Sequence, residues 1–97
     1  MRRKNAQTIG EVLNDFFKEN AELRKRILEI RVKRAWGEVL GPMIQQYTRS
    51  IYIKNNILYV SLTSSVLRNE LTLSRDKLVK SLNDYAGSTV IHTIIIR

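Results

Sequence analysis

The sequence predicts an α+β domain: two N-terminal helices, then a three-stranded mixed sheet packed on helices, in the order β-β-α-α-β. Three observations carry this expectation. Apolar residues recur at helical spacing before Pro42 and alternate with polar residues soon after it. The pair Asn55-Asn56 separates two alternating runs, and Asn tolerates the positive φ of a tight hairpin better than most residues. A β-branched run closes the chain after a helical crossover long enough to bring it back parallel to the second strand.

Residues 8–20 read as the first helix. Thr8 and Glu11 form a capping box, and Ile9, Val12, Leu13, Phe16 and Phe17 then share one face. Asn20 is placed as the cap of a second helix, with Glu22 in its first turn, running to Leu40 and stopped by Gly41-Pro42. Its main apolar stripe is Leu28, Val32, Ala35, Trp36 and Val39. A second stripe, Leu23, Ile27 and Ile30, lies on the other side of its first half. Two stripes on one helix call for two packing partners, either the first helix and a sheet or a separate protein. Met43 and Ile44 add one more turn.

Residues 49–54 and 57–63 alternate as strands, with Ile51 and Ile53 facing one way and Leu58, Val60 and Leu62 doing the same on the next strand. Ser64 or Ser65 caps a helix carrying Val66, Leu67 and Leu71. Ser74 with Asp76 restarts it through Leu78, Val79 and Leu82 to a stop at Gly87. Residues 90–96 form the last strand. The middle strand is then 57–63, which places the sheet on helices in two layers. This is the element order of a type II K-homology fold.

Residues 1–7 are expected to be a flexible basic arm and residues 8–97 a single domain. The 97 residues are 43% apolar, enough for a core without staples. Absence of cysteine excludes disulfides, thiol nucleophiles and thiolate metal sites, and suits a reducing compartment. With 17 Lys+Arg against 9 Asp+Glu the chain carries +8, the balance of a protein that meets a polyanion. No run reaches the roughly 18 apolar residues of a membrane span, and the stretch after Met-Arg-Arg-Lys lacks a signal peptide's apolar centre. A cytoplasmic protein with no membrane partner is expected.

Little supports catalysis. His92, the single histidine, sits between Ile91 and Thr93 and reads as a structural or edge residue. No Gly-rich phosphate loop precedes a helix, no metal-ligand spacing occurs, and Ser64-Ser65 is better explained as a cap. No catalytic residue, metal or cofactor is therefore assigned, and the chain is expected not to be an enzyme.

The cations are the informative set. Arg24, Lys25, Arg26, Arg31, Lys33 and Arg34 crowd the second helix, with Glu29 the sole acid among them. Arg26 and Lys33 share one side of the wheel; Arg24, Arg31 and Arg34 share another, where pairing with Glu19, Glu22, Glu29 or Glu38 is the alternative to phosphate binding. Arg2, Arg3 and Lys4 add an arm, and Arg68, Arg75, Lys77 and Lys80 add cations on the crossover helices. Tyr52 and Tyr59 fall on the outer sheet face as a candidate stacking platform, unless the N-terminal helices cover them. Trp36 belongs to the core.

Several landmarks together resemble a known family: Ala-Trp36-Gly-Glu-Val-Leu-Gly41-Pro42, then Asn56-Ile-Leu58-Tyr-Val60-Ser-Leu62. Ser64-Ser65-Val-Leu-Arg-Asn-Glu70-Leu71, Ser81-Leu82-Asn83 and Ile94-Ile-Ile-Arg97 follow in order. Across residues 9–97 the chain resembles the DciA-like family of bacteria. The resemblance implies a KH-like domain without ATPase activity that binds the replicative helicase and DNA, single-stranded or forked, and assists helicase loading. Many members continue into a long basic tail, whereas this sequence stops at Arg97, so the tail's contribution is expected either to be lacking or to come from the N-terminal arm. The Gly-x-x-Gly loop of nucleic-acid-binding KH domains is also missing, since residues 71–76 hold no glycine. An RNA-binding KH-like module and a pure protein-interaction domain with docking residues Leu23, Ile27 and Ile30 are the alternative readings. The sequence leaves the oligomeric state open.

Overall fold

A computed structural model describes residues 8–97, so the expected arm with Arg2, Arg3 and Lys4 lies outside the described residues. The side chains of Phe16 and Phe17 also lie outside the description. The elements are α1 (Ile9–Glu19), α2 (Ala21–Leu40), α3 (Pro42–Gln46), β1 (Thr48–Lys54), β2 (Ile57–Leu62), α4 (Ser65–Leu73), α5 (Arg75–Ala86) and β3 (Thr93–Ile96). The sheet order is β1-β2-β3, with β1 and β2 antiparallel and β2 and β3 parallel. The expected α+β arrangement and mixed sheet are thus both present.

The capping box forms as the sequence predicts. The Glu11 backbone N–H donates to Thr8 Oγ1 at 3.1 Å and the Thr8 N–H to Glu11 Oε1 at 3.4 Å. Asn20 departs from expectation. It occupies the N-cap position of α2, but its side chain makes no cap hydrogen bond. A single residue joins the two helices, and its ψ of 63° lies outside the extended region from which a capping side chain reaches back. The helix restarts at Ser74 with Asp76 as expected; Ser74 is at once the last cap of α4 and the first of α5, and at ψ 15° its side chain makes no cap hydrogen bond. Ser64, in extended geometry, does cap α4 by accepting from the Leu67 N–H at 3.3 Å. Gly41 and Gly87, at φ 93° and 85°, end α2 and α5 where the sequence places the stops.

Asn55 and Asn56 have φ of 52° and 62°, the two positive values a type I′ hairpin turn demands. The turn sets a register in which Tyr52 faces Tyr59 and Ile53 faces Leu58. Leu58, Val60, Leu62 and Ile94 point inward and join Val32, Ala35, Trp36, Leu78 and Leu82 in the core. The helices cover this inner face only.

Only the central turn of the α2 stripe is sealed: Val32, Ala35 and Trp36 are buried, Leu28 is half-buried, and Val39 remains 41% exposed. The Trp36 N–H donates to Thr48 Oγ1 at 3.0 Å, and that hydroxyl donates to the Ile44 carbonyl at 2.9 Å. One buried ring thereby fastens α2 to α3 and β1.

The last strand is shorter than the expected 90–96. β2 begins at Ile57, whose partner on β3 is Thr93, so residues 90–92 lie opposite the hairpin turn and have no strand to pair with. Asn83 takes the place of a strand. Its Oδ1 accepts from the Val90 and Ile91 N–H groups at 2.9 and 3.1 Å, and its Nδ2 donates to the Ile91 carbonyl at 2.9 Å. The His92 N–H reaches the Asn56 carbonyl at 2.8 Å. Ile91 is fully buried in consequence.

Two stability outcomes follow. Asn83→Ala strips three backbone groups of their partner and is expected to cost about 2–4 kcal/mol in urea unfolding, less than the full penalty of roughly 1–3 kcal/mol per buried group because these three are only part-buried and water can reach them. Asn83→Asp keeps the two acceptor bonds but sets an oxygen against the Ile91 carbonyl, so it falls between Ala and wild type. Trp36→Ala is expected to remove about 3–5 kcal/mol, most of the stability of a small domain. Trp36→Phe, which keeps most of the ring but loses the Thr48 bond, should cost clearly less in the same assay.

Candidate nucleic-acid and partner interface

The first eleven residues of α2, through Arg31, include none that is buried. Packing on the sheet starts only at Val32, so this half of the helix, with α1 beside it, stands off the core. Arg24, Lys25, Arg26, Arg31, Lys33 and Arg34 are all exposed. With 100° per residue, Arg26 and Lys33 lie on one flank and Arg24 and Arg31 on the opposite one, each pair about 10 Å apart along the axis. Arg34 points nearly away from the core. Among the described residues the alternative, pairing of Arg24, Arg31 or Arg34 with Glu19, Glu22, Glu29 or Glu38, does not form. Among the described residues the ion pair is Lys80 with Asp84 at 3.1 Å, exposed and one helical turn apart, worth about 0.3–0.5 kcal/mol.

Three predicted cations have structural work. Arg31 Nη1 donates to the Ala86 carbonyl at 3.4 Å, where a positive charge suits the C-terminal end of α5. Arg68, half-buried, donates to the Leu62 carbonyl at 3.4 Å. Lys80 is held by Asp84. Arg75 and Lys77 are exposed at the start of α5.

The fold brings uncharged groups beside α2 that sequence reasoning missed. An open cleft of about 450 Å³ runs between Arg24, Lys25 and Glu29 on one side and Asn56, Ser88 and Thr89 on the other. The hairpin turn and the loop after α5 are far apart in sequence, so no local pattern announced it. A second hollow, about 300 Å³, lies between Leu13 of α1, Ile27 and Arg31 of α2, and Gly87.

The second apolar stripe is split. Ile27 is half-buried beside α1, whereas Leu23 and Ile30 stay 39% and 52% exposed. On α1, Ile9, Val12 and Leu13 are likewise exposed. The α1–α2 pair thus presents apolar and basic side chains together.

Tyr52 and Tyr59 are cross-strand partners whose rings stack, with centroids 4.8 Å apart and planes 11° from parallel. The N-terminal helices do not cover them: Tyr52 is 42% exposed. Arg97 joins them, its Nη2 donating to Tyr52 Oη at 2.8 Å and its guanidinium carbon 5.2 Å from the Tyr59 ring centre. Strand parity, which puts residues 93, 95 and 97 on one face, was the signal that could have found Arg97.

A single residue, Ser74, links α4 to α5, which leaves no room there for a glycine loop. His92 is exposed ahead of β3. Among the described residues no three His, Cys, Asp or Glu side chains gather as a metal site, and no helix is long and apolar enough to cross a membrane.

A protein-family model described as "Dna[CI] antecedent, DciA" matches residues 8–96. Neither the curated proteins nor the solved structures give a match. The match spans every element from the Thr8 capping box to the end of β3, so the chain belongs to the DciA family, which is associated with loading of the replicative helicase in DNA replication.

Proposed function

We propose that this protein is a non-enzymatic replication accessory that binds the replicative helicase and DNA phosphates together while helicase is loaded. The observation that carries the reading is the projecting half of α2, where exposed cations with no acidic partner flank exposed Leu23 and Ile30. A phosphate chain is a polyanion that such flanks hold without reading sequence, through released counterions. The two flanks face opposite ways, so one DNA segment engages one of them and leaves the apolar strip of the α1–α2 pair free for protein. The one-residue link at Ser74 speaks against a KH-type backbone clamp on RNA.

DNA affinity should fall steeply with salt, with a log–log slope near −0.9 per phosphate neutralised on duplex. Arg26→Gln with Lys33→Gln, and separately Arg24→Gln with Arg34→Gln, are expected to differ. The pair that touches DNA flattens the slope by about 1.8, and the other leaves it unchanged. An unaltered slope in both double variants would remove α2 from the DNA surface.

For the protein side, Leu23→Asp with Ile30→Asp should abolish co-elution with the cognate helicase in size exclusion while leaving the thermal melt within a few degrees of wild type. Both side chains are already exposed, so a folded variant that still co-elutes places the helicase elsewhere.

A further inference from the structure

The outer face of the sheet is exposed at Ser50, Tyr52, Lys54, Ile95 and Arg97, half-buried at Tyr59 and its other β2 positions, and free of acids. β1 contributes Ser50, Tyr52 and Lys54, β2 Ile57, Tyr59 and Ser61, and β3 Thr93 and Ile95. Arg97 extends the last row: its N–H donates to the Val60 carbonyl at 2.9 Å and its carbonyl accepts from the Leu62 N–H at 2.7 Å, so its side chain stands on this same face. All nine acids of the sequence lie at or before Glu38 or at or after Glu70, each within a helix. No carboxylate side chain belongs to any strand, and Lys54 and Arg97 sit at opposite corners, roughly 17 Å apart by strand spacing and rise.

We infer that this face is a binding platform for single-stranded nucleic acid, with an unpaired base stacking on Tyr52 and neighbouring phosphates held by Arg97 and Lys54. One face of the Tyr52 ring lies against Tyr59, while its position on the edge strand and 42% exposure leave the other face open. The Arg97 bond to the Tyr52 hydroxyl fixes the ring without covering it, and the guanidinium keeps further N–H donors for a phosphate. A ring already ordered in the free protein gives up little side-chain entropy on binding. Duplex cannot use the platform because its base faces are already stacked on one another. The platform rests on the nucleic-acid reading above, adds a surface on the side of the sheet away from the helical core, and confers a preference for unpaired strands that α2 alone does not supply.

The test measures anisotropy of labelled strands at fixed salt: oligo-dT, oligo-U, an abasic strand of equal length, and duplex. Wild type should hold oligo-dT about 5- to 150-fold tighter than the abasic strand, the range of one stacked base. Tyr52→Ile keeps a strand-forming residue and should bring oligo-dT down to the abasic level with duplex affinity unchanged. Tyr52→Phe keeps the stacking ring and loses only the Arg97 bond, so it should still prefer oligo-dT over the abasic strand, and Arg97→Gln should weaken oligo-dT and the abasic strand alike. The ratio of oligo-dT to oligo-U tells which nucleic acid the platform favours, and tight binding of either supports it. Equal wild-type affinity for oligo-dT and the abasic strand, or a base preference surviving in folded Tyr52→Ile, overturns the platform while leaving phosphate binding by α2 standing. A wild-type protein that binds none of the four polyanions overturns both.

Discussion

The Trp36 indole is only 2% exposed and still has an N–H that needs an acceptor. Thr48 supplies it from the first residue of β1, and passes the demand on to the carbonyl of Ile44 in the short helix between. A part-buried chain of this kind, anchored on a buried ring, favours one geometry, because a shift leaves the indole N–H unpaired in a poor solvent. It therefore fixes the angle at which α2 leaves the sheet. With the helix pinned at Val32–Ala35–Trp36, its first eleven residues overhang the core. The cations and exposed apolar residues of the α1–α2 pair owe their availability to that overhang.

Charge is partitioned by element type. Carboxylates ride only on helices, several of them in first turns where the dipole favours them, while the sheet and its loops carry cations alone. A two-layer fold has helices enough for one face of its sheet, so the other remains in water. In many proteins that face is dressed with mixed charges. Here it holds two stacked tyrosines and an arginine, which satisfy one another and still leave ring surface and donors unspent. Basic helix and basic sheet face belong to different layers of the fold, which suits the two nucleic-acid surfaces proposed above.

Much of the fold was legible because its signals are local. The capping box at Thr8, the stop at Gly41-Pro42, the Asn55-Asn56 turn and the alternation in β1 and β2 each depend on residues within a few positions. The misreadings share a cause as well. Asn20 has the right chemistry for a cap, but it is squeezed between two helices whose junction dictates its ψ. The β-branched run at 90–96 has strand propensity throughout, yet a strand exists only where a neighbour offers N–H and C=O groups, and β2 offers none before Ile57. Asn83, eight residues before Ile91, fills that need with its side chain, a substitution that propensity does not describe.

By itself the sequence determined the element types, the α+β class, the excess of positive charge and its concentration on α2, since periodicity and composition act through the direction each side chain takes from its own backbone. The tertiary structure decided which half of α2 is covered, that Arg31 is held by a carbonyl of α5, and that Arg97 meets Tyr52 from 45 positions away. Those outcomes follow from strand register and from competition for a limited buried surface. Both are set by the summed packing of the whole chain, and no short stretch of it contains them.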